Sequence, residues 1–144
     1  MHPDHFLNKI DHDKVVAAIA AAEKLTSGEI RVWISQQKIT DAVEAAQKRF
    51  LKLGMDKTPE RNAVMIFVAP HTQVFAVIGD SGVHEKCGDA FWTTVSSQLS
   101  TDLKNASVTE AMINAIRKIG GLLAEHFPPG AERRNDLPDD IVGD

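Results

Sequence analysis

Several residues whose side chains do chemistry stand at the ends of apolar runs. Glu29 opens EIRVWIS, Arg61 and Asn62 open ERNAVMIFVAP, and Asp80 closes VFAVIGD, with Glu85 a few residues beyond. Glu29, Asp80 and Glu85 offer hard carboxylate oxygens, and carbonyls of glycine-containing turns can complete the roughly 6–8 oxygens of a Ca²⁺ shell. Arg61 beside them can balance charge or take a phosphate in a two-pronged hydrogen bond. Asn62 can serve an oxyanion or a ligated water. The bland alternative is a solvated rim pair between Glu29 and Arg61, worth about 0–1 kcal/mol.

Other candidates weigh less. Gly79-Asp80-Ser81-Gly82 matches the surroundings of the trypsin-like nucleophile, but the chain is too short and too helical for a double β-barrel with its His and Asp partners. The four residues therefore read as a turn, with Gly79 and Gly82 free to take positive φ and Asp80 or Ser81 able to cap the next turn. Cys87, three residues after His84, could be an activated thiol, though a small buried hydrophobe is the plainer reading. His2-x-x-His5, with His12 beyond, has metal-ligand spacing on an N-terminal segment expected to fray. Trp33 and Trp92 are expected to pack between helix and sheet.

These side chains need a frame, and periodicity supplies one. Asp11 or Asp13 can cap a helix carrying Val15, Val16, Ile19 and Ala22 as far as Leu25, with Gly28 suited to a left-handed stop. EIRVWIS alternates, with Ile30, Val32 and Ile34 on one face and Arg31, Trp33 and Ser35 on the other, which is a strand. Asp41 opens a second helix with Val43, Ala46, Phe50 and Leu53 inward, and Gly54 ends it. Residues 63–69 are nearly continuous apolar β-formers, as in a central strand covered on both faces, and VFAVIG returns antiparallel after PHTQ. Two helices come next, one with Phe91, Trp92, Val95, Leu99 and Leu103, the other with Met112, Ile116, Ile119 and Leu123.

The order α-β-α-β-β-α-α implies an α/β fold, a three-layer α/β/α sandwich around a small mixed sheet. The first two strands, joined through a helix, are expected to run parallel and the third back. That direction brings TSGE, ERN and GDSG to one end of the sheet, so Glu29, Arg61, Asn62 and Asp80 become neighbours. Residues 1–127 read as a single domain, and 128–144, rich in proline and charge, as a surface tail that Leu137 and Ile141 can dock.

With a net charge of −4 and no basic stripe, the sequence lacks a nucleic-acid footprint. A lone cysteine excludes an internal disulfide, and no segment approaches the ~20 apolar residues of a membrane span. The chain as given is expected to be cytoplasmic, with a trimmed exported domain as the alternative. Walker, Rossmann, Cys-x-x-Cys and HExxH signals are missing.

AAEKLTSGEIRVWI, ERNAVMIFVAP, VFAVIGDSGVHEKCGDAFW and the closing FPPG…NDLPD together resemble the TPM-domain family, in the family's order and from about Asp11 to Asp139. The resemblance implies an α/β/α sandwich, a calcium site near the sheet edge and, in the plant branch, acid-phosphatase activity on phosphomonoesters. The matching blocks here are Ser27, Gly28 and Glu29; Arg61 and Asn62; and Gly79, Asp80 and Gly82. Many relatives carry a signal peptide and a membrane anchor that this sequence does not show, and some have GxG where it has GDSG.

Two functional expectations emerge. One is a module that binds Ca²⁺ or another divalent cation through Glu29, Asp80 and Glu85 and engages a protein partner elsewhere. The alternative is a metal-assisted hydrolase of a phosphomonoester, with Arg61 clamping the phosphate and Asn62 orienting water.

Overall fold

The computed structural model describes residues 11–129 and 141–144. Helix α1 (His12–Glu23) begins where Asp11 accepts a hydrogen bond from the Lys14 amide at 3.1 Å. Val15, Ile19 and Ala22 are buried, one turn apart on the same stripe. The helix ends before Leu25, which is 56% exposed rather than part of the stripe. Strand β1 (Ile30–Ile34) is buried throughout. Its alternation divides it as expected: Ile30, Val32 and Ile34 face one core, and Trp33 the other.

Helix α2 (Ala42–Lys52) is capped by Asp41 on the Glu44 amide and presents Ala45, Ala46 and Phe50 to the sheet. Val43, expected inward, is 52% exposed. The chain leaves α2 through Gly54 at φ 70°, the left-handed conformation that glycine tolerates best, and a single 3₁₀ turn buries Met55. Strand β2 (Val64–Ala69) is buried at every position, and β3 (Val74–Gly79) pairs antiparallel to it.

Three helices come after β3, where two were expected: α3 (Ser81–Cys87), α4 (Asp89–Asn105) and α5 (Val108–His126). Gly88, at φ 74°, makes the break between the first two. Helix α5 starts at Ser107, whose hydroxyl accepts the Glu110 amide at 3.1 Å. The end of the expected tail is a strand, β4 (Ile141–Gly143), parallel to β1 in the register Val32 with Ile141 and Ile34 with Gly143. Ile141 packs on the core as anticipated, whereas Leu137 lies outside the described residues.

The sheet order is β3-β2-β1-β4, with β1 parallel to both β2 and β4. Helix α2 covers one face, over Trp33, Met65 and Phe67. Helices α1, α4 and α5 cover the other, over Ile30, Val32, Val64 and Ile66, with Val83 of α3 joining them. This is the three-layer α/β sandwich expected, with four strands in place of three.

The glycines of the corners act by size and not by φ. Among the described glycines, Gly54 and Gly88 have positive φ; Gly28, Gly79 and Gly82 do not. A Cβ on Gly82 would fall 2.3 Å from the Glu60 carbonyl oxygen, and one on Gly79 would fall 2.4 Å from Cη2 of Trp92. A Cβ on Gly28 would fall 2.9 Å from Cδ1 of Leu123. Each is a place where another part of the molecule comes too close for a side chain.

Candidate functional site

Strand direction gathers the corners at one rim. Ile30, Val64 and Gly79 stand side by side across three strands. The row one residue further out continues the ladder: the Val64 amide donates to the Glu29 carbonyl at 2.8 Å and the Asp80 amide to the Ala63 carbonyl at 3.0 Å. Glu29 and Asp80 thus stand on either side of Ala63 along the backbone ladder, two strand spacings or about 10 Å apart.

Arg61 reaches this rim from an unusual backbone. Its φ is 53°, and the surrounding turn is held by the Arg61 amide on the Thr58 carbonyl (3.2 Å) and the Gly82 amide on the Arg61 carbonyl (2.9 Å). The guanidinium grips Asp80 with two prongs, Nε to Oδ2 at 2.5 Å and Nη2 to Oδ1 at 2.8 Å. Asp80 is 7% exposed, while the Arg61 side chain is 51% exposed. The Asp80 bond and charge, reinforced by Asp56, push the Arg61 pKa up. Oδ1 of Asp80 also accepts the Ser81 amide at 2.8 Å, so the same carboxylate caps α3. The rim ion pair seen here joins Arg61 to Asp80.

The other expected residues separate. Asn62, 1% exposed, donates to Ser27 Oγ at 3.1 Å, and its amide donates to Thr58 Oγ1 at 3.2 Å, which knits two corners together. Glu29 is 2% exposed. Glu85 is exposed on α3. Cys87 is half-buried, and its thiol pKa is pushed up by burial and then by Glu125, the opposite of an activated nucleophile. His2 and His5 lie outside the described residues.

A groove of ≈ 500 Å³ crosses the end of β3 between α2 and α4, lined by Gln47, Asp56, Arg61, Asp80, His84 and Trp92 with apolar walls from Val43, Phe50 and Leu51. Trp92 donates its indole N–H to His84 Nδ1 at 3.1 Å. Sequence reasoning did not foresee Gln47, Asp56, His84 or Trp92 as wall residues. The signal was Gly79, which is small because Trp92 lies against it.

Chemically the groove offers two carboxylates, Asp56 and Asp80, around one guanidinium, together with a side-chain amide. Among the described residues no cluster of three His, Cys, Asp or Glu stands ready to cage a metal ion as the side chains now lie. No described helix is long and apolar enough to cross a membrane.

A small mixed sheet sandwiched between helices, with an acidic rim at its edge, defines an α/β domain of a recognisable kind. The TPM domain matches residues 1–122, and the chain belongs to that family. Among solved structures, the chain is similar to the NMR structure of the BA42 protein from the psychrophilic bacterium Bizionia argentinensis. The two are 33% identical, with a TM-score of 0.85 and 92% of each chain covered. No curated protein matches the chain.

Proposed function

We propose that this TPM domain is a divalent-cation-binding module, with Ca²⁺ as the favoured ion and Asp80 as the anchoring carboxylate. The observation that carries the reading is the Asp80 carboxylate itself, 7% exposed and held by a guanidinium that is half in solvent. A carboxylate withdrawn from water requires a counter-cation. Arg61 supplies one here, and a divalent cation would meet the same requirement in its place.

The donor set fits such an ion in charge and type. Asp80 and Asp56 supply hard oxygens and Gln47 an amide oxygen, while Glu29, 2% exposed, is not among the residues lining the groove. An arriving ion would displace the half-exposed Arg61 side chain toward solvent and would bring charge compensation of its own. Glu85 lies outside the groove and has no part in this reading. Hydrolysis of a phosphomonoester, the alternative that the family resemblance raises, finds less support. The binding fork of Arg61 is turned onto Asp80, and Asn62 is engaged with Ser27.

Calorimetry and thermal denaturation with Ca²⁺ test the reading. Saturation at 100-fold the Kd is worth about 2.7 kcal/mol of stability. Asp80→Asn is expected to abolish the heat and the shift. Arg61→Gln is expected to melt lower without Ca²⁺ and to bind Ca²⁺ more tightly, because the competing cation is gone. Weaker Ca²⁺ binding by Arg61→Gln, or no heat with the unaltered protein, refutes the reading. A phosphate clamp predicts the reverse: Arg61→Gln would lose phosphate binding.

A further inference from the structure

The β4 edge of the sheet holds a second built site, whose residues do not line the rim groove. Strand β4 is short, and Ile141 to Asp144 are the described residues seated there. Ile141 packs on the large core and Val142 on the α2 core. Gly143 lies where a Cβ would meet the Ile34 carbonyl oxygen at 2.8 Å, so that position accepts glycine. The Asp144 amide donates to Ile34 O at 3.3 Å, and the Gln36 amide donates to Asp144 O at 2.6 Å.

The Asp144 carboxylate then meets a receptor made entirely by other elements. Trp33 Nε1 donates to Oδ1 at 2.8 Å. Arg49 donates to Oδ2 through Nε at 3.1 Å and Nη2 at 2.7 Å, and Gln37 adds a bond at 3.1 Å. Arg49 is held in place independently of its guest. Its Nη1 donates to the Ala45 carbonyl at 3.1 Å, and its guanidinium lies 5.6 Å and 5.2 Å from the ring centroids of Trp33 and Phe67. A positive fork fixed over two aromatic rings, beside the strand edge that β4 fills, is a pre-organised carboxylate receptor. None of it falls within β4, and β4 lies beyond residue 122, where the family match ends.

We propose that the β1 edge is a recognition site for an extended peptide of the form apolar–apolar–Gly–acidic, presented by a protein partner, and that Ile141–Asp144 is its resident occupant. The partner would add as a parallel strand, with main-chain bonds giving affinity and the Arg49–Trp33 receptor reading the acid. The seated segment itself is the template for the ligand. Because it is tethered, the resident competes at an effective concentration on the order of millimolar. A partner therefore gains access when the Asp144 contact is weakened or when its own affinity exceeds that threshold.

The test uses the full chain and a labelled peptide with the sequence of residues 140–144, Asp-Ile-Val-Gly-Asp. In Asp144→Lys the resident is repelled by Arg49, and the peptide is expected to bind saturably, at least ten-fold more tightly than to the unaltered protein. Arg49→Gln added to that variant, or a peptide ending in Asn, is expected to lose the binding. Asp144→Asn gives a gentler displacement should the lysine variant fold poorly. Hydrogen exchange at Ile141–Gly143 reports whether the resident has left. No peptide binding while those amides exchange freely overturns the proposal. Exchange of strands between two copies, seen as a dimer whose proportion rises with concentration, overturns the choice of occupant in favour of a second copy of this chain. Either outcome is separable from the Ca²⁺ titration, which reads the opposite edge of the sheet.

Discussion

Replacing Gly82 with alanine tests the rim geometry where it is tightest. The new Cβ would lie 2.3 Å from the Glu60 carbonyl oxygen, 2.7 Å from the Arg61 carbonyl oxygen and 3.1 Å from the Arg61 carbonyl carbon. All three are backbone atoms, so no side-chain rotation relieves the contact. Helix α3 would have to lift off by roughly 1 Å, and overpacking of that kind costs about 1–3 kcal/mol. The lift also stretches the 2.9 Å bond from the Gly82 amide to Arg61 O, a loss of about 0.5–1.5 kcal/mol. Against this stands the gain of alanine over glycine in a helix, about 0.5–1 kcal/mol.

The net expectation is a loss of about 2 kcal/mol. At roughly 2–4 °C per kcal/mol, that is a drop in Tm of about 4–8 °C. Gly121→Ala is the internal control. Gly121 lies inside α5 and is exposed, with nothing within 4 Å of the position of a Cβ. The same substitution there should raise the stability by about 0.5–1 kcal/mol through helix propensity alone. Thermal and urea denaturation monitored by circular dichroism measures both. A Gly82→Ala protein that melts with or above Gly121→Ala would show that the carbonyls of Glu60 and Arg61 do not press on α3, and the close approach at the rim would be refuted.

Three further outcomes are expected from the same geometry. Gly79→Ala should cost about 1–3 kcal/mol through the Trp92 ring at 2.4 Å, and a double-mutant cycle with Trp92→Ala should recover most of it, because the clashing ring is then gone. The Asp144 carboxyl feels partial burial, which pushes its pKa up, but bonds from Trp33, Ser35 and Arg49 outweigh it and hold the pKa below 3.8. Its contribution is therefore present above pH 3.8 and lost as the pH falls through the lower folded value, so the stability gap between the unaltered protein and Asp144→Asn should close in acid urea titrations. Ser107→Ala removes the hydroxyl that receives the Glu110 amide and should lower stability by about 1 kcal/mol in urea denaturation.

Strand positions were legible in the sequence because their pattern is local. The alternation in residues 30–34 and the unbroken apolar run of 64–69 each state how many faces are covered, and from strand direction alone Arg61 and Asp80 come together as expected. Asp11, Asp41 and Gly54 were readable as caps and a stop for the same reason. The features that escaped were set by distant partners. Gly79 and Gly82 look like turn glycines, yet their smallness answers to Trp92 and to the Glu60–Arg61 backbone, and no local pattern reveals that. Val43 sits at a helical spacing that suits the core and faces outward instead, beside the groove. Strand β4 is short enough to leave almost no periodic signal, and its place depends on a receptor assembled from Trp33, Gln37 and Arg49.

With two tryptophans and no tyrosine in the sequence, the near-ultraviolet emission of this protein comes from two known places. Trp33 is 3% exposed with its indole N–H on Asp144, while Trp92 lines the groove with its indole N–H on His84. The molecule therefore carries a separate built-in lamp at each edge of its sheet. Trp92→Phe leaves the one that dims or reddens as the closing strand departs, and Trp33→Phe leaves the one that responds at the acidic rim, so events at the two edges can be timed independently without attaching any dye.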